Sequence, residues 1–419
     1  MGSRGRTPPN EETPMSDHRE LGRALKLFAT HPDVGAGLPL WLPDGAVVRS
    51  ELERYVAEEW SRAGCQRVYT PVLAKRSLFE RSGHWAKFAD DMFPPMPVGG
   101  DELVLRPANC PHHALVYASE QRSYRDLPVR LAEVGSMFRS ELSGVLGGLS
   151  RVRQINLDDA HVFCTEEQIE DEVAAALEQV LRVYGVFGIE VAYCRLSRRG
   201  SGDGYLGEPA LWDRAEEMLR KALGRVGIEY VEALGEAAFY GPKIDAQVID
   251  PAGREESLST VQVDFNQPER FGLGYVAADG SVRPPVMIHR GIMSAMERLV
   301  AHLIELYDGA FPPWLAPVQL VVLPVAPEYA DAAEQIRREG VRVEVDAGDG
   351  SLGARIRRAH DRRAPYIAVV GDREARAGAV SLRLRDGRQL PPMPAVDAMA
   401  EISRVVAARS RDLGFAAPA

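Results

Sequence analysis

Hydrophobic and polar residues follow different patterns on either side of a proline-rich segment, 311–317. Proline lacks an N–H donor and fixes φ, so neither a helix nor a central strand is expected to continue through it. The following part predicts strand 318–325, helix 328–340, strand 341–346, helix 352–361, strands 365–371 and 379–385, and helix 396–409. Strands that alternate with helices in this way indicate a small α/β domain with a mainly parallel sheet.

The longer part before the proline-rich segment mixes amphipathic helices with strand-like runs. Residues 51–63 and 166–183 have the period of a helix, and Thr165 is a suitable N-cap for the second. Strand-like runs occur at 67–73, 102–107, 129–139, 159–164, 189–196 and 260–265. One large antiparallel-sheet domain or two small domains would fit this pattern, and the lack of a second linker favours one. We therefore predict a disordered tail at 1–18, one domain at 19–312 and another at 317–419.

Composition and charge narrow the class of protein. With 45% hydrophobic and 26% charged residues, a disordered chain is excluded. No apolar run approaches the roughly 20 residues that a membrane-spanning helix needs, so no membrane partner is expected. Four scattered cysteines are too few for a disulfide framework, which favours a reducing, cytoplasmic location.

Charge is distributed unevenly along the chain. A net charge of −10 argues against unspecific binding to nucleic acid, yet ten arginines accompany four acidic residues between Arg355 and Arg388. Arginine without lysine suits contacts to phosphates or bases. A codon bias toward arginine explains the same pattern equally well.

One cysteine and two histidines are candidate metal ligands: Cys110 in PANCPHH, His161 in DDAHVFC and His289 in PVMIHRG. Three such ligands can hold zinc and leave a coordination position open for a substrate. Three distant residues do not establish a site by their spacing. Hydrogen-bonded core histidines and a buried thiol therefore remain the alternative.

Several arginines are candidates for binding a polyphosphate. Arg139, in the sequence FRSE, precedes a glycine-rich stretch that returns with Arg151 and Arg153. Arginine binds phosphate oxygens through two parallel hydrogen bonds, and glycine lets the backbone come close. An exposed hairpin turn is the alternative here. Arg298 lies in an amphipathic helical segment, where a single arginine is more often part of a surface ion pair.

The order of these motifs resembles the class II aminoacyl-tRNA synthetases. FRSE with its glycine-rich hairpin, followed by a helix containing MER, is similar to motifs 2 and 3 of that class, and RVYTPVL with Pro71 is similar to motif 1, which builds the dimer interface. NCPHH, SYRDLPVRLAEVGSMFR, AFYGPKID and TVQVDF resemble threonyl-tRNA synthetases in particular, over roughly residues 19–411. The resemblance implies an α/β protein with an α+β catalytic domain, built on an antiparallel sheet flanked by helices. A small α/β anticodon-binding domain with a mixed sheet would follow.

The resemblance also implies a function and a set of site residues. The function is that of a homodimeric threonine–tRNA ligase, which joins L-threonine to tRNA(Thr) at the expense of ATP with Mg²⁺ and holds one Zn²⁺ per subunit. By motif position, the implied residues are Arg139, Arg298 and Lys243 for catalysis; Arg139, Glu141, Arg151, Ile155, Gln262 and Arg298 for ATP; Asp159, Tyr240, Gln262 and Lys243 for threonine; Cys110, His161 and His289 for zinc; and Arg357, Glu374 and Arg383 for the anticodon.

This sequence departs from the family pattern around the nucleotide. Ile155 stands where the family has an aromatic residue, Leu157 and Ser257 stand where it has glutamine, and Ser294-Ala295 replaces Gly-Ser. These changes are expected to affect the binding of ATP more than the choice of amino acid. No HxxxH editing signature occurs, so we expect a ligase without editing in cis.

Three alternatives to a housekeeping ligase are considered. They are a threonine-adenylating enzyme of secondary metabolism, an inhibitor-tolerant second copy of the ligase, and a non-catalytic binding protein on a synthetase scaffold. Arg139, Arg298 and the three candidate metal ligands are all present, which disfavours the non-catalytic protein.

Overall fold

The computed structural model describes residues 17–202 and 204–415. Of the predicted disordered tail, residues 1–16 lie outside this range. Asp17 and His18 lie within it, and for them the prediction is wrong. The Asp17 carboxylate accepts a hydrogen bond from the backbone N–H of Arg19 and caps the first helix, in which His18 is only 6% exposed.

The described chain divides into a longer N-terminal part and a shorter C-terminal part. The helices of the N-terminal part are α1 (His18–Ala24), α2 (Pro43–Arg62), α3 (Arg76–Ser82), α4 (His84–Phe88), α5 (Cys110–Ala118), α6 (Ile169–Phe187), α7 (Pro209–Val226), α8 (Asn266–Arg270) and α9 (Met296–Leu306). Its strands are β1 (Phe28–Ala29), β2 (Leu40–Trp41), β3 (Gln66–Arg67), β4 (Leu73–Lys75), β5 (Met96–Val98), β6 (Asp101–Leu105), β7 (Val129–Phe138), β8 (Gln154–Cys164), β9 (Tyr193–Arg198), β10 (Tyr230–Leu234), β11 (Lys243–Ile249), β12 (Glu255–Asp264), β13 (Tyr275–Val276), β14 (Val282–Arg283) and β15 (Val286–Gly291).

An eight-stranded sheet organises the N-terminal part, with strand order β10-β9-β11-β12-β15-β8-β7-β3. The six central strands are antiparallel, as the sequence predicted, and a parallel pair lies at each edge. Helices α2, α6 and α9 pack on one face and form a core with buried side chains from α2 (Val48, Leu52) and α9 (Leu299, Val300). On the other face, α5 covers one end, where Tyr117 stacks on Phe163, and the adjoining part lines a cleft.

The run 67–73 was predicted as one strand, but it is interrupted. Strand β3 ends at Arg67 and β4 begins at Leu73, and the two strands belong to different sheets. Pro71 cannot donate to a strand ladder. The preceding residue, Thr70, donates its backbone N–H to the Glu133 carboxylate at 3.1 Å instead of to a neighbouring strand.

Two predicted helices of the N-terminal part begin at different residues than expected. Helix α2 starts earlier, at Pro43, a residue that is well suited to the first turn because no partner is needed for its missing N–H. The helix expected at 166–183 begins with a 3-10 turn, Glu166–Gln168, and continues as α6. Thr165 forms a capping box with Gln168 and so caps this segment, as predicted.

The C-terminal part contains helices α10 (Ala330–Glu334), α11 (Leu352–Asp361), α12 (Asp372–Ala377) and α13 (Ala395–Ala407) and strands β16 (Leu320–Pro324), β17 (Val343–Val345), β18 (Tyr366–Val370), β19 (Ala379–Leu384) and β20 (Met393–Pro394). Its sheet has the order β17-β16-β18-β19-β20 and is mixed: β16 is parallel to β17 and β18, whereas β19 is antiparallel to both of its neighbours. The periodicity alone had predicted a mainly parallel sheet, whereas the family resemblance implied the mixed one. The short turn between β19 and β20 cannot provide the crossover that a parallel pair needs.

The helix predicted at 328–340 is much shorter. Only Ala330–Glu334 is α-helical, after a 3-10 turn at Pro327–Tyr329. The remaining residues form turns, and Ile336 is the only apolar side chain among 335–339. One buried side chain provides too little burial to hold a further helical turn.

The proline-rich segment does not form an exposed linker. Phe311, Trp314 and Leu315 are buried in the same core as α2 and α9. Within the described range, none of the helices combines the length and apolarity needed to cross a membrane.

Candidate active site

The register of the large sheet brings distant residues into one row. Lys243 pairs with Gln262, Gln262 with His289, and His289 with His161, across strands β11, β12, β15 and β8. Directly paired residues point to the same side of a sheet, so all four side chains project from one face. Along β8, the predicted residues Ile155, Leu157, Asp159 and His161 are each two positions apart and share that face.

Two adjoining cavities lie over this face. The larger has a volume of about 290 Å³ and the smaller of about 180 Å³. The larger is lined by Cys110, Arg139, Glu141, Arg151, Leu157, Asp159, His161, Tyr240, Gln262 and His289, among others. The smaller is lined by Arg139, Glu141, Leu149, Ser150, Arg151, Val152, Ile155, Ala295, Glu297 and Arg298. A cavity of about 620 Å³ between α2 and the C-terminal part contains none of the predicted site residues, so we do not assign the chemistry to it.

Cys110, His161 and His289 form a compact buried cluster. One ligand atom from each lies within 4.8 Å of the others. His161 Nε2 and His289 Nδ1 are 3.0 Å apart. A tetrahedral zinc ion with bonds of about 2.0–2.3 Å would separate its ligands by about 3.3–3.8 Å, so small shifts would accommodate one.

Neighbouring groups fix which nitrogen of each ring faces the cluster. His289 Nε2 lies 3.0 Å from a carboxylate oxygen of Asp264, which can only accept a hydrogen bond. His161 Nδ1 lies 2.7 Å from His113 Nδ1, and the other nitrogen of His113 lies 3.2 Å from Glu133 Oε1. These contacts place the protons on His289 Nε2 and His161 Nδ1. The lone pairs of His161 Nε2 and His289 Nδ1 therefore face each other.

Two lone pairs at this distance, beside a thiol, repel each other, and a cation held between them would remove the repulsion. Burial also lowers the pKa of His161 well below its usual value, with the charges of His113 and His289 acting in the same direction. The ring therefore stays neutral, as a metal ligand must be. Burial raises the pKa of Cys110, a shift that a bound divalent cation would reverse. The donor set thus fits a metal ion.

Asp159 and Tyr240 lie next to the cluster. Asp159 Oδ1 is 3.7 Å from His161 Nε2, and burial raises the pKa of this carboxyl. The ring of Tyr240 stacks on His289 at 4.8 Å, and its hydroxyl donates to Gln262 Oε1 at 2.7 Å. A small ligand bound here would meet a carboxylate, an amide and the metal-ligand cluster together.

Lys243 is not part of this arrangement. Its Nζ lies 2.5 Å from Asp245 Oδ2, and it lines neither cavity. The strand register places Lys243 on the same face of the sheet as Gln262. Its ammonium group, however, is paired with Asp245.

The predicted phosphate-binding residues converge on the two cavities. The Arg139 side chain is exposed, and across residues 17–202 and 204–415 no carboxylate forms an ion pair with it. Arg151 donates two hydrogen bonds to Glu141 Oε2, at 3.0 and 2.8 Å. Among the described residues, Arg298 donates only to backbone carbonyls, those of Ser150 at 3.3 Å and Ser257 at 3.4 Å. Each guanidinium can therefore exchange a weak or solvent-exposed contact for a phosphate.

Of the five residues that depart from the family pattern, all but Ser257 line the same cavities. Ile155 and Ala295 line the smaller cavity and Leu157 lines the larger. Ser257 pairs through its hydroxyl with Gln247 at 2.8 Å, which fixes its side chain against the neighbouring strand.

The three residues expected to read an anticodon lie in the C-terminal part. Arg357 is exposed on α11, and Arg383 is half-buried on β19. Glu374 is committed to local structure, since its carboxylate accepts from Ser381 Oγ at 2.9 Å and from the Gly371 backbone at 3.1 Å. Partial burial acts to raise the pKa of Glu374, but these hydrogen bonds outweigh it and lower the pKa.

Four residues of the site were not predicted from the sequence. His113 and Asp264 orient the two candidate histidine ligands, and His84 Nε2 lies 3.8 Å from Cys110 Sγ. The doubled histidine of NCPHH was the available signal for His113. His18, which contacts the wall of the smaller cavity, had been assigned to the tail.

Comparisons with known proteins agree with the motifs. The family of class II tRNA synthetase core domains (G, H, P, S and T) matches residues 97–307, and the anticodon binding domain family matches 319–404. Threonine–tRNA ligase of Geobacillus kaustophilus (strain HTA426) is 48% identical over 413 residues, which are 97% of this chain and 63% of that protein. Threonine–tRNA ligase 1 of Bacillus subtilis (strain 168) is 50% identical over 380 residues, 89% of this chain and 59% of that protein. The chain thus spans about three fifths of the length of these relatives.

A solved structure extends the likeness to three dimensions. The RNA binding domain of threonyl-tRNA synthetase from Cryptosporidium parvum Iowa II superimposes with a TM-score of 0.88 at 35% identity, covering 93% of this chain and 98% of that one. The class II resemblance predicted from the motifs is confirmed. The chain belongs to the threonyl-tRNA synthetase family of class II aminoacyl-tRNA synthetases.

Proposed function

We propose that this protein is a threonine–tRNA ligase, which activates L-threonine with ATP and transfers it to tRNA(Thr). One observation carries the proposal: the Cys110–His161–His289 cluster and Asp159 share a cavity with Arg139. A metal-ligand cluster with a carboxylate beside it suits an amino acid that bears a hydroxyl group. Arginines at the other end of the cavity suit the nucleotide.

In the first half-reaction, a carboxylate oxygen of threonine attacks the α-phosphorus of ATP, and the bond to pyrophosphate breaks. Arg139 would hold the α-phosphate, where negative charge develops. Arg298 would leave the carbonyls of Ser150 and Ser257 and bind the γ-phosphate, and Mg²⁺ would accompany ATP. Glu141 would exchange its ion pair with Arg151 for the adenine amino group.

Zn²⁺ is the metal that we propose for the Cys110–His161–His289 cluster, because two imidazoles and one thiolate suit it and leave room for substrate. When bound, it would take the amino and hydroxyl groups of threonine as additional ligands. Asp159 would accept a hydrogen bond from that hydroxyl, and Tyr240 with Gln262 would form the wall beside it. In the second half-reaction, the 3′-terminal hydroxyl of tRNA attacks the adenylate carbonyl and AMP leaves.

The proposal predicts a strong preference against valine and a weak one against serine. Valine replaces the hydroxyl with a methyl group and leaves buried polar groups unpaired, which sites of this kind reject by roughly 10⁴–10⁵. Serine keeps the hydroxyl and lacks one methyl, which changes the rate by only about 10–200-fold. Pyrophosphate exchange and charging of tRNA(Thr) with each amino acid measure this order. Equal use of valine and threonine, or discrimination against serine above about 10⁴, would contradict the proposed pocket.

The C-terminal part provides a test of the alternative, an enzyme that loads a carrier other than tRNA. Arg357 and Arg383 have no carboxylate partner among the described residues, so both are available to RNA. We expect Arg357→Ala to lower charging of tRNA(Thr) about tenfold and to leave threonine-dependent pyrophosphate exchange without tRNA unchanged, since one charge-assisted contact contributes about 1.5–3 kcal/mol. Arg404→Ala, which removes an exposed arginine paired with Glu401 and outside the 355–388 stretch, is the matched control. Charging that is unaffected by Arg357→Ala would favour the other carrier.

The remaining features follow from the same proposal. We propose a catalytic domain at 19–312, in which Asp17 and His18 also take part, and an anticodon-binding domain at 317–419. A homodimer is supported by exposed apolar side chains around Pro71, namely Tyr69 and Leu73, which sedimentation at micromolar concentration tests. A cytoplasmic location is proposed because charged tRNA is used by ribosomes there.

A further inference from the structure

A buried histidine of the first helix connects two parts of the proposed ATP site. His18 Nδ1 lies 2.7 Å from Glu305 Oε1, near the end of α9, and His18 Nε2 accepts a hydrogen bond from the backbone N–H of Leu149 at 3.2 Å. A single neutral tautomer satisfies both contacts, with the proton on Nδ1. The ring is therefore a bridge between α9 and the glycine-rich hairpin that links β7 to β8.

The residue held by His18 is part of the cavity wall. Leu149 is fully buried, and it lines the smaller cavity together with Ser150 and Arg151. The adjacent residue, Ser150, accepts a hydrogen bond from Arg298 of α9 through its carbonyl. The Leu149–Ser150 pair is thus attached to α9 twice, directly by Arg298 and indirectly by Glu305 through His18.

The two attachments have different fates when a nucleotide binds. Arg298 must leave the Ser150 carbonyl if it is to contact a phosphate. His18 is buried and does not line the cavity, so ATP need not displace its bond to Leu149. Close packing supports the same bond, because a Cβ on Gly148 would lie only 2.4 Å from His18 Nε2 and 2.6 Å from Arg19 Cγ.

We propose that His18 is a positioning residue that keeps the glycine-rich hairpin in the geometry required for ATP while Arg298 is released to the phosphates. The expected change in kinetics rests on the proposed ligase function. The hydrogen bonds of His18 do not depend on it. The positioning role gives the first helix a part in nucleotide binding, and none in amino-acid choice, because the Cys110–His161–His289 cluster lies in the other cavity.

The first test separates the two substrates. We expect His18→Ala to raise KM for ATP about tenfold in threonine-dependent pyrophosphate exchange, while KM for threonine changes less than twofold, since one buried hydrogen-bonded group is lost. His18→Gln should restore most of the affinity, because its amide can accept from Leu149 and donate to Glu305. Arg23→Ala is the matched control, an exposed residue of the same helix whose side chain bonds, within the described part of the chain, only to the Arg19 carbonyl.

A second variant and a second measurement keep the test decisive if His18→Ala folds poorly. Glu305→Ala removes the other end of the bridge, together with its bond from the His18 backbone N–H and its ion pair with Arg254, and should raise KM for ATP in the same direction. The effects of the two variants should not add fully in the double variant, because both interrupt the same linkage. Hydrogen exchange of the full chain should accelerate in 143–152 in either variant and remain unchanged in Arg23→Ala.

The two proposals fail in different ways. An unmodified protein that exchanges pyrophosphate with no amino acid would overturn the ligase function, and hydrogen exchange would still report on the bridge. Unchanged exchange in 143–152, or equal increases in KM for ATP and threonine, would overturn the positioning role of His18.

Discussion

Replacement of Arg139 by alanine is expected to abolish threonine-dependent pyrophosphate exchange without a measurable change in melting temperature. The guanidinium faces both cavities, where it would stabilise charge on the α-phosphate. Loss of one such donor in a transition state typically reduces kcat by about 10²–10³, or roughly 3–4 kcal/mol. Its side chain is exposed and forms no ion pair with the described residues, so the fold loses nothing with it.

Two further variants serve as comparisons for Arg139→Ala. Arg139→Lys keeps the charge but loses the planar pair of donors, and we expect it to recover only part of the activity. Arg125→Ala removes an exposed arginine that lies over the Tyr124 ring and should leave exchange unchanged. Normal exchange by a folded Arg139→Ala protein would refute the assignment of this residue to the α-phosphate.

Replacement of Cys110 by alanine is expected to remove both the bound zinc and threonine activation. The cluster would retain only His161 and His289, and two ligands hold zinc far more weakly than three. Elemental analysis should show about one zinc per chain in the unmodified protein and almost none in the variant. Chelation of the unmodified protein should have the same effect, and added Zn²⁺ should reverse it.

The chain contains a suitable control for this experiment. Cys194 is as deeply buried as Cys110, and burial raises the pKa of its thiol as well, to about 12. It lies on β9, outside the cluster, so Cys194→Ala should retain zinc and threonine activation. Zinc that persists in Cys110→Ala, or activity that is indifferent to chelation, would contradict the proposed centre.

A buried carboxylate on the opposite face of β8 connects this strand to helix α2. Asp158 accepts from Trp60 Nε1 at 2.9 Å and from the backbone N–H groups of Ile292 and Met293 at 2.9 and 2.8 Å. Burial raises its pKa to about 6 in spite of these three hydrogen bonds. The alternation of β8 thus gives Asp158 a structural position and Asp159 a place in the cavity, although the two are adjacent in the sequence.

The sequence alone determined the order of the elements, the class of the fold and most of the candidate site. Asp159 and His161 were identified by their position in the DDAHVFC motif, and the alternation of a strand places both on one face. The arginines were recognised because their motifs occur in a fixed order. The predicted strands and helices largely matched the structure wherever a continuous apolar pattern was present.

Only the tertiary structure decided which of these residues act together. Pairing between β11, β12, β15 and β8 is non-local, and no pattern within one segment could show that His161 and His289 face each other at 3.0 Å. It also showed that Lys243 is bound to Asp245 and that His113 orients His161. His18 was missed because its partners, Leu149 and Glu305, are more than a hundred residues away, so its importance lies in contacts that the surrounding sequence does not encode.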